Sequence, residues 1–189
     1  MDLILASQSP RRRELFELIG LPFTTLVSEA DEDIPLEEPG AYVEKLALHK
    51  AEAVFAQRPA DCVVGADTIV WLDGGIIGKP RDEADAYRIL RTLSGRTHMV
   101  YTGLAVLAPG SREVLHDITK VTFAPLSDEE IRAYIKTGDP MDKAGAYGVQ
   151  GKGAIFVERV EGCYFTVIGL PVPRLYRALA KLGIRPVGM

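Results

Sequence analysis

Three stretches of the sequence combine residue types that bind anions or handle protons. The first is Ser7-Gln8-Ser9-Pro10-Arg11-Arg12, placed between an apolar run and the start of a helix. Helix starts leave backbone N–H groups unpaired at the positive end of the dipole, and hydroxyls with arginines add donors suited to phosphate. Arginines there oppose the same dipole, which points to a bound anion, while an ordinary capped helix with solvated arginines is the other reading. The second stretch is Gly65-Ala66-Asp67-Thr68, a polar break in an apolar strand. A carboxylate in such a place loses hydration unless it is paired or holds a metal, so Asp67 is either a satisfied structural group or a functional one. In the functional case it holds Mg²⁺ or takes a proton from water, and Glu32, in the acidic run 29–33, completes an oxygen-rich site. A solvated loop is the alternative for Glu32. The third feature is lysine beside glycine, in Gly78-Lys79-Pro80 and in Asp142-Lys143-Ala144-Gly145-Ala146-Tyr147-Gly148-Val149-Gln150-Gly151. Glycine lets backbone approach a ligand and lysine brings a compact charge for phosphate, although a surface turn explains any single pair.

Other chemistries lack their residues. G-x-x-x-x-G-K-[ST] and G-x-S-x-G do not occur, and His49, His98 and His116 share no metal-ligand spacing, so they are read as structural or surface residues. Attack by water is favoured over a covalent enzyme intermediate.

These residues need a scaffold. Residues 2–6 read as a buried strand; Ser9-Pro10 supplies an N-cap and a first-turn proline, with Leu15, Leu18 and Ile19 at helical spacing and Gly20 as the stop. A strand at 23–28, a loop through the acidic run, a helix at 42–55 and a long strand at 62–72 follow, closed by the turn Asp73-Gly74-Gly75. Further on come a helix at about 82–93, strands at about 98–107 and 113–124 joined by Pro109-Gly110, and a helix at about 127–136. A glycine-rich loop at 138–153, a hairpin at about 154–168 and a helix at about 172–182 complete the reading. This order predicts an α/β fold with a mixed, twisted sheet flanked by helices.

At 189 residues with no linker-like segment, one domain over 1–189 is expected. Hydrophobic residues at 47% against 25% charged predict a real core, and a net charge of −4 disfavours a nucleic-acid coat. Cys62 and Cys163 are too few and too far apart for a disulfide framework, and Leu3-Ile4-Leu5-Ala6 is too short for a signal core or a membrane span. A cytoplasmic protein without membrane association is the expectation.

Taken in order, Ala6 to Arg12, Lys50-Ala51, Gly65 to Thr68, Gly78-Lys79-Pro80, Leu93-Ser94-Gly95, Asp142 to Gly148 with Gln150-Gly151, and Gly169-Leu170-Pro171 resemble the Maf family from end to end. The resemblance implies a mixed α/β sheet with a nucleotide cleft, related to the inosine-triphosphate pyrophosphatases. It implies Mg²⁺-dependent or other divalent-metal-dependent hydrolysis of a nucleoside triphosphate between the α- and β-phosphates, as a house-cleaning role with a link to septum formation. By position it makes Asp67 the proton acceptor, Glu32 and Asp67 the metal ligands, and Ser7, Arg12, Lys50 and Lys79 the phosphate-binding set. Arg11, Thr68 and Gln150 match the positions that sort the branches by base, and this trio resembles the branch acting on dTTP and UTP. A second branch, preferring 7-methyl-GTP, has Trp, Gln and Glu there. A homodimer is compatible with the resemblance, and a regulatory protein that binds nucleotide without turnover is the competing class.

Overall fold

The first apolar run is indeed a strand: β1 (Leu3–Ala6) is enclosed, with Ile4, Leu5 and Ala6 fully buried. The computed structural model describes residues 1–28, 30, 34–35 and 37–186. After β1 come α1 (Pro10–Glu17), β2 (Thr24–Leu26), α2 (Pro39–Phe55), β3 (Cys62–Leu72), β4 (Gly75–Ile77), α3 (Glu83–Leu93), β5 (Thr97–Ala108), β6 (Ser111–Phe123) and α4 (Asp128–Ile135). Three short 3₁₀ turns occupy 139–156, followed by β7 (Val157–Glu161), α5 (Tyr164–Ile168) and α6 (Val172–Lys181). Among the described residues seven strands form one mixed sheet in the order β2-β1-β3-β5-β6-β7, with β4 on β3. β1 runs parallel to β2 and β3, whereas β4 on β3 and β7 on β6 are antiparallel. The fold is therefore the expected α/β type with flanking helices.

The chain divides into two compact units. The first comprises residues 1–67, 102–117 and 169–189, and its core sets α2 against the sheet through Ile4, Ala6, Ala47, Ala51, Val54, Val63, Ala105 and Leu107. The small residues have a geometric cause. A methyl group built on Gly65 of β3 would lie 2.2 Å from the Ala47 carbonyl oxygen, and one on Gly103 of β5 would lie 2.1 Å from that of Val43. The backbone of α2 thus rests directly on two neighbouring strands, which only glycine permits. At the start of α1, Ser9 caps the helix by accepting from the Arg12 N–H, with Pro10 in the first turn, as the sequence implies. Its buried face differs from the expected one: Leu15, Phe16 and Ile19 are enclosed while Leu18 is 66% exposed, because Phe16 turns inward onto Phe23, ring to ring at 4.6 Å.

The second unit comprises residues 68–101 and 118–168. Its core gathers α3, α4 and the strands around Leu90, Leu93, Phe123, Ile131 and Phe156. The Asp73-Gly74 turn, with φ of 52° and 80°, has the positive pair a tight hairpin demands and leads into β4, which the sequence reading did not include. The hairpin read at 154–168 is also different. β7 pairs with β6, not with the segment after it, and past Gly162 (φ 129°) that segment coils into α5.

His98, on β5, is buried among Phe123 and Tyr147, which it meets edge-on at 5.2 and 5.4 Å. Its Nε2 is 2.7 Å from the Tyr147 hydroxyl, and burial pushes its ionisation down from 6.5 to about 4. The folded protein thus excludes a proton that the unfolded chain accepts as pH falls below about 6.5. Protonation of His98 therefore opposes folding: stability is undiminished above about 6.5 and is progressively lost on the way down to about 4. Urea titrations across this window should show the unfolding free energy of the wild type declining with pH by roughly 3 kcal/mol more than that of His98→Phe; parallel curves would contradict the assignment.

Candidate active site

Asp67 stands on β3, and Lys50 on α2 reaches it: Nζ lies 2.6 Å from Oδ1, with both side chains about nine-tenths buried at 11% and 12% exposure. The contact follows from the seating of α2, since Lys50 follows Ala47 and precedes Ala51, the two residues pressed against Gly65. Two residues along the strand from Gly65, Asp67 shares its face and meets the helix there. The ion pair balances a carboxylate that would otherwise be costly in this position. Its other oxygen, Oδ2, accepts no hydrogen bond from a described residue, so one lone-pair-bearing edge of Asp67 is available to water, a proton or a cation.

Ser7 and Arg12 belong to the turn between β1 and α1. The Ser7 hydroxyl accepts from the Ser9 N–H at 3.2 Å, and Arg12 donates through Nε to the Gly169 carbonyl at 2.8 Å. That bond gives Gly169-Leu170-Pro171 a task beyond turning the chain: it fixes the plane of a guanidinium on α1, a role with no signal in the sequence because residues 12 and 169 are so far apart. Arg11 and Arg12 are half-buried, not splayed into solvent.

The second unit holds the remaining residues. Thr68 is half-buried on β3, and Lys79 and Gln150 are exposed. The two glycine-rich segments are joined, since the Gly145 N–H donates to the Gly78 carbonyl at 3.0 Å. Of the two lysines beside glycines, Lys143 is spent within its own loop. Its ammonium bonds Asp142 at 2.7 Å and Asp139 at 3.2 Å, and Asp139 also accepts from the Tyr134 hydroxyl at 2.7 Å. Lys143 is therefore a brace of that loop. Glu32 lies outside the described residues, as do Glu29 and Asp31.

A divalent cation suits this chemistry in one respect that the structure shows. Mg²⁺ takes one or two carboxylate oxygens and draws its other ligands from waters and phosphates, and the unengaged Oδ2 of Asp67 is a donor of that kind.

Comparison with known proteins agrees with this architecture. The fold is similar to that of the Staphylococcus aureus Ham1 protein, with a TM-score of 0.52 at 17% identity over 97% of this chain and 100% of that one. Residues 2–182 match the family described as Maf-like protein, and the chain belongs to the Maf family. It is 50% identical over 183 residues to a dTTP/UTP pyrophosphatase of Bacillus cereus, covering 96% of each chain. Another dTTP/UTP pyrophosphatase, from Symbiobacterium thermophilum, is 49% identical over 96% of this chain and 94% of its own.

Breaking the ion pair from one side leaves a charge stranded. Lys50→Met should lower the unfolding free energy by roughly 3 kcal/mol, and Lys50→Met with Asp67→Asn should cost clearly less than the two single changes summed. Urea denaturation of the four proteins measures the coupling, and simple additivity would show that the two side chains do not act as a pair.

Proposed function

We propose that this chain is a nucleoside triphosphate pyrophosphatase that hydrolyses dTTP and UTP, and related pyrimidine nucleotides, to the monophosphate and pyrophosphate. The observation that carries the proposal is Asp67: a nearly buried carboxylate held on one oxygen by Lys50, with its second oxygen unengaged by any described residue. The substrate class comes from the relatives, since half-identity along almost the whole chain links it to proteins named dTTP/UTP pyrophosphatases.

Cleaving a phosphoanhydride asks for alignment and charge neutralisation more than for covalent chemistry. Asp67 accepts the proton of the attacking water, and Lys50, expected among the phosphate-binding residues, instead pairs with this carboxylate and holds its orientation. Arg12, its plane set by the Gly169 carbonyl, binds phosphate together with Ser7 and Lys79. Asp67, with Glu32, would hold a divalent cation, Mg²⁺ by the nature of its oxygen donors, and when bound that cation supplies further charge neutralisation along the phosphates. Gln150, donor and acceptor, and Thr68, whose hydroxyl does either, match the O4/N3–H edge of uracil or thymine, and Arg11 binds a carbonyl oxygen or stacks on the ring. A base with the reversed pattern, by shielding those groups from water without pairing them, is rejected. The enzyme functions as a single domain in the cytoplasm on free nucleotides, removing them as a house-cleaning activity; among the described residues no helix is long and apolar enough to cross a membrane.

Steady-state assays should find turnover of dTTP and UTP exceeding that of ATP and GTP by on the order of a hundredfold, with pyrophosphate, not phosphate, released. Binding without turnover would assign the chain to a regulatory class instead. Asp67→Asn should cut kcat by on the order of a thousandfold in a protein that still folds, and near wild-type activity would remove Asp67 from the mechanism. EDTA should silence the enzyme and Mg²⁺ restore it, whereas full activity in metal-free buffer would defeat the cation's part. Arg11→Trp, Thr68→Gln and Gln150→Glu combined should depress pyrimidine turnover; an unchanged ranking would detach these residues from base choice.

A further inference from the structure

One polar atom in the second unit has no evident reason to be there. The Nδ1 of His98 is buried and has no hydrogen-bond partner among the described residues, while Nε2 is engaged by Tyr147. A neutral imidazole has a single N–H, so whichever tautomer forms, Nδ1 is left as a donor without an acceptor or the reverse. A phenylalanine would pack edge-on against Phe123 and Tyr147 as well and carry no such penalty. What histidine has and phenylalanine lacks is the bond to the Tyr147 hydroxyl.

Tyr147 closes an unusual piece of backbone. The two residues before it, Gly145 and Ala146, both have left-handed φ, 72° and 57°, and Ala146 is fully buried. A left-handed alanine is strained and persists only where its surroundings over-determine it. The same turn donates from the Gly145 N–H to the Gly78 carbonyl, next to Lys79, and Gln150 follows Tyr147 by three residues. We propose that His98 is a positioning residue: through Tyr147 it holds the strained turn at 145–146, and through that turn the backbone carrying both Lys79 and Gln150. The inference rests on the reading above in which those two side chains meet the phosphates and the base.

The test uses His98→Phe, Tyr147→Phe and the double variant. Each should raise KM for UTP and dTTP by roughly tenfold and narrow their preference over ATP, with the double variant no worse than either single one because both break the same link. The thermal midpoint of the double variant should equal or exceed that of the wild type, since it removes the orphaned nitrogen and the buried hydroxyl together. Amide hydrogen exchange should quicken in peptides covering 78–80 and 143–151 and stay unchanged elsewhere. Unchanged kinetics and exchange would overturn the role, and so would activity lost only in step with a lower midpoint and faster exchange throughout. A wild type without pyrimidine preference, in which exchange in these two segments still responds to His98→Phe, would sink the substrate reading and uphold the mechanical link. Preference kept by the wild type and all three variants would do the opposite.

Discussion

The contact between the backbone of α2 and strands β3 and β5 governs the rest of the first unit. Gly65 and Gly103 leave no side chain between helix and sheet, and the carbonyls of Ala47 and Val43 occupy that space. At such a separation Ala47, Ala51, Ala105 and Ala6 are the residues that pack, which is why this core is rich in alanine and not in leucine. The same separation brings Lys50 and Asp67 together at 2.6 Å. Large side chains at positions 65 and 103 would push α2 away from the sheet and draw Lys50 away from Asp67. Core packing and site chemistry are thus one constraint, met at two glycines.

The second unit is organised differently. Between α4 and β7 only short 3₁₀ turns occur, and residues 138–153 are held by polar and aromatic contacts: Tyr134 and Lys143 converge on Asp139, and Tyr147 is fixed by His98 and Phe123. Backbone groups that cannot pair in a ladder need partners of this kind. The segment therefore has shape without periodicity, and its positive-φ residues are spaced to suit a single arrangement.

What could be read in advance follows from that contrast. Strands β1, β3, β5 and β6 and the helices other than α5 are visible because apolar period and capping residues are local signals, Ser9-Pro10 being the clearest. α2 begins at Pro39, earlier than its apolar face suggests, because Glu38 caps it by accepting from the Gly40 and Ala41 N–H groups; a proline in a first turn was the available signal. β4, at three residues, is too short to display a period, and the partner of β7 is β6 and not its neighbour in sequence, a pairing no local pattern shows. Asp67, Lys50, Ser7 and Arg12 were picked out by residue type and family likeness, yet which of them touch is a tertiary fact. No local pattern announces that Lys50 meets Asp67, that Gly169 holds Arg12, or that Gly103 matters at all. His98 was read only as structural or surface, and its burial with one nitrogen unpaired could not be seen without the fold.

The sheet's outermost strands bear on a different matter, the behaviour of the protein at high concentration. An open sheet ends in rows of unpaired amides and carbonyls that invite a second copy to add on. Here one end is β2, only three residues long, and the other is β7, a five-residue Val-Glu-Arg-Val-Glu strand in which Glu158, Arg159 and Glu161 are exposed. A short strand offers too few bonds to template growth, and a charged one must strip water from its side chains before a neighbour can dock. The fold thus carries its own resistance to edge-to-edge polymerisation, independent of anything the interior does.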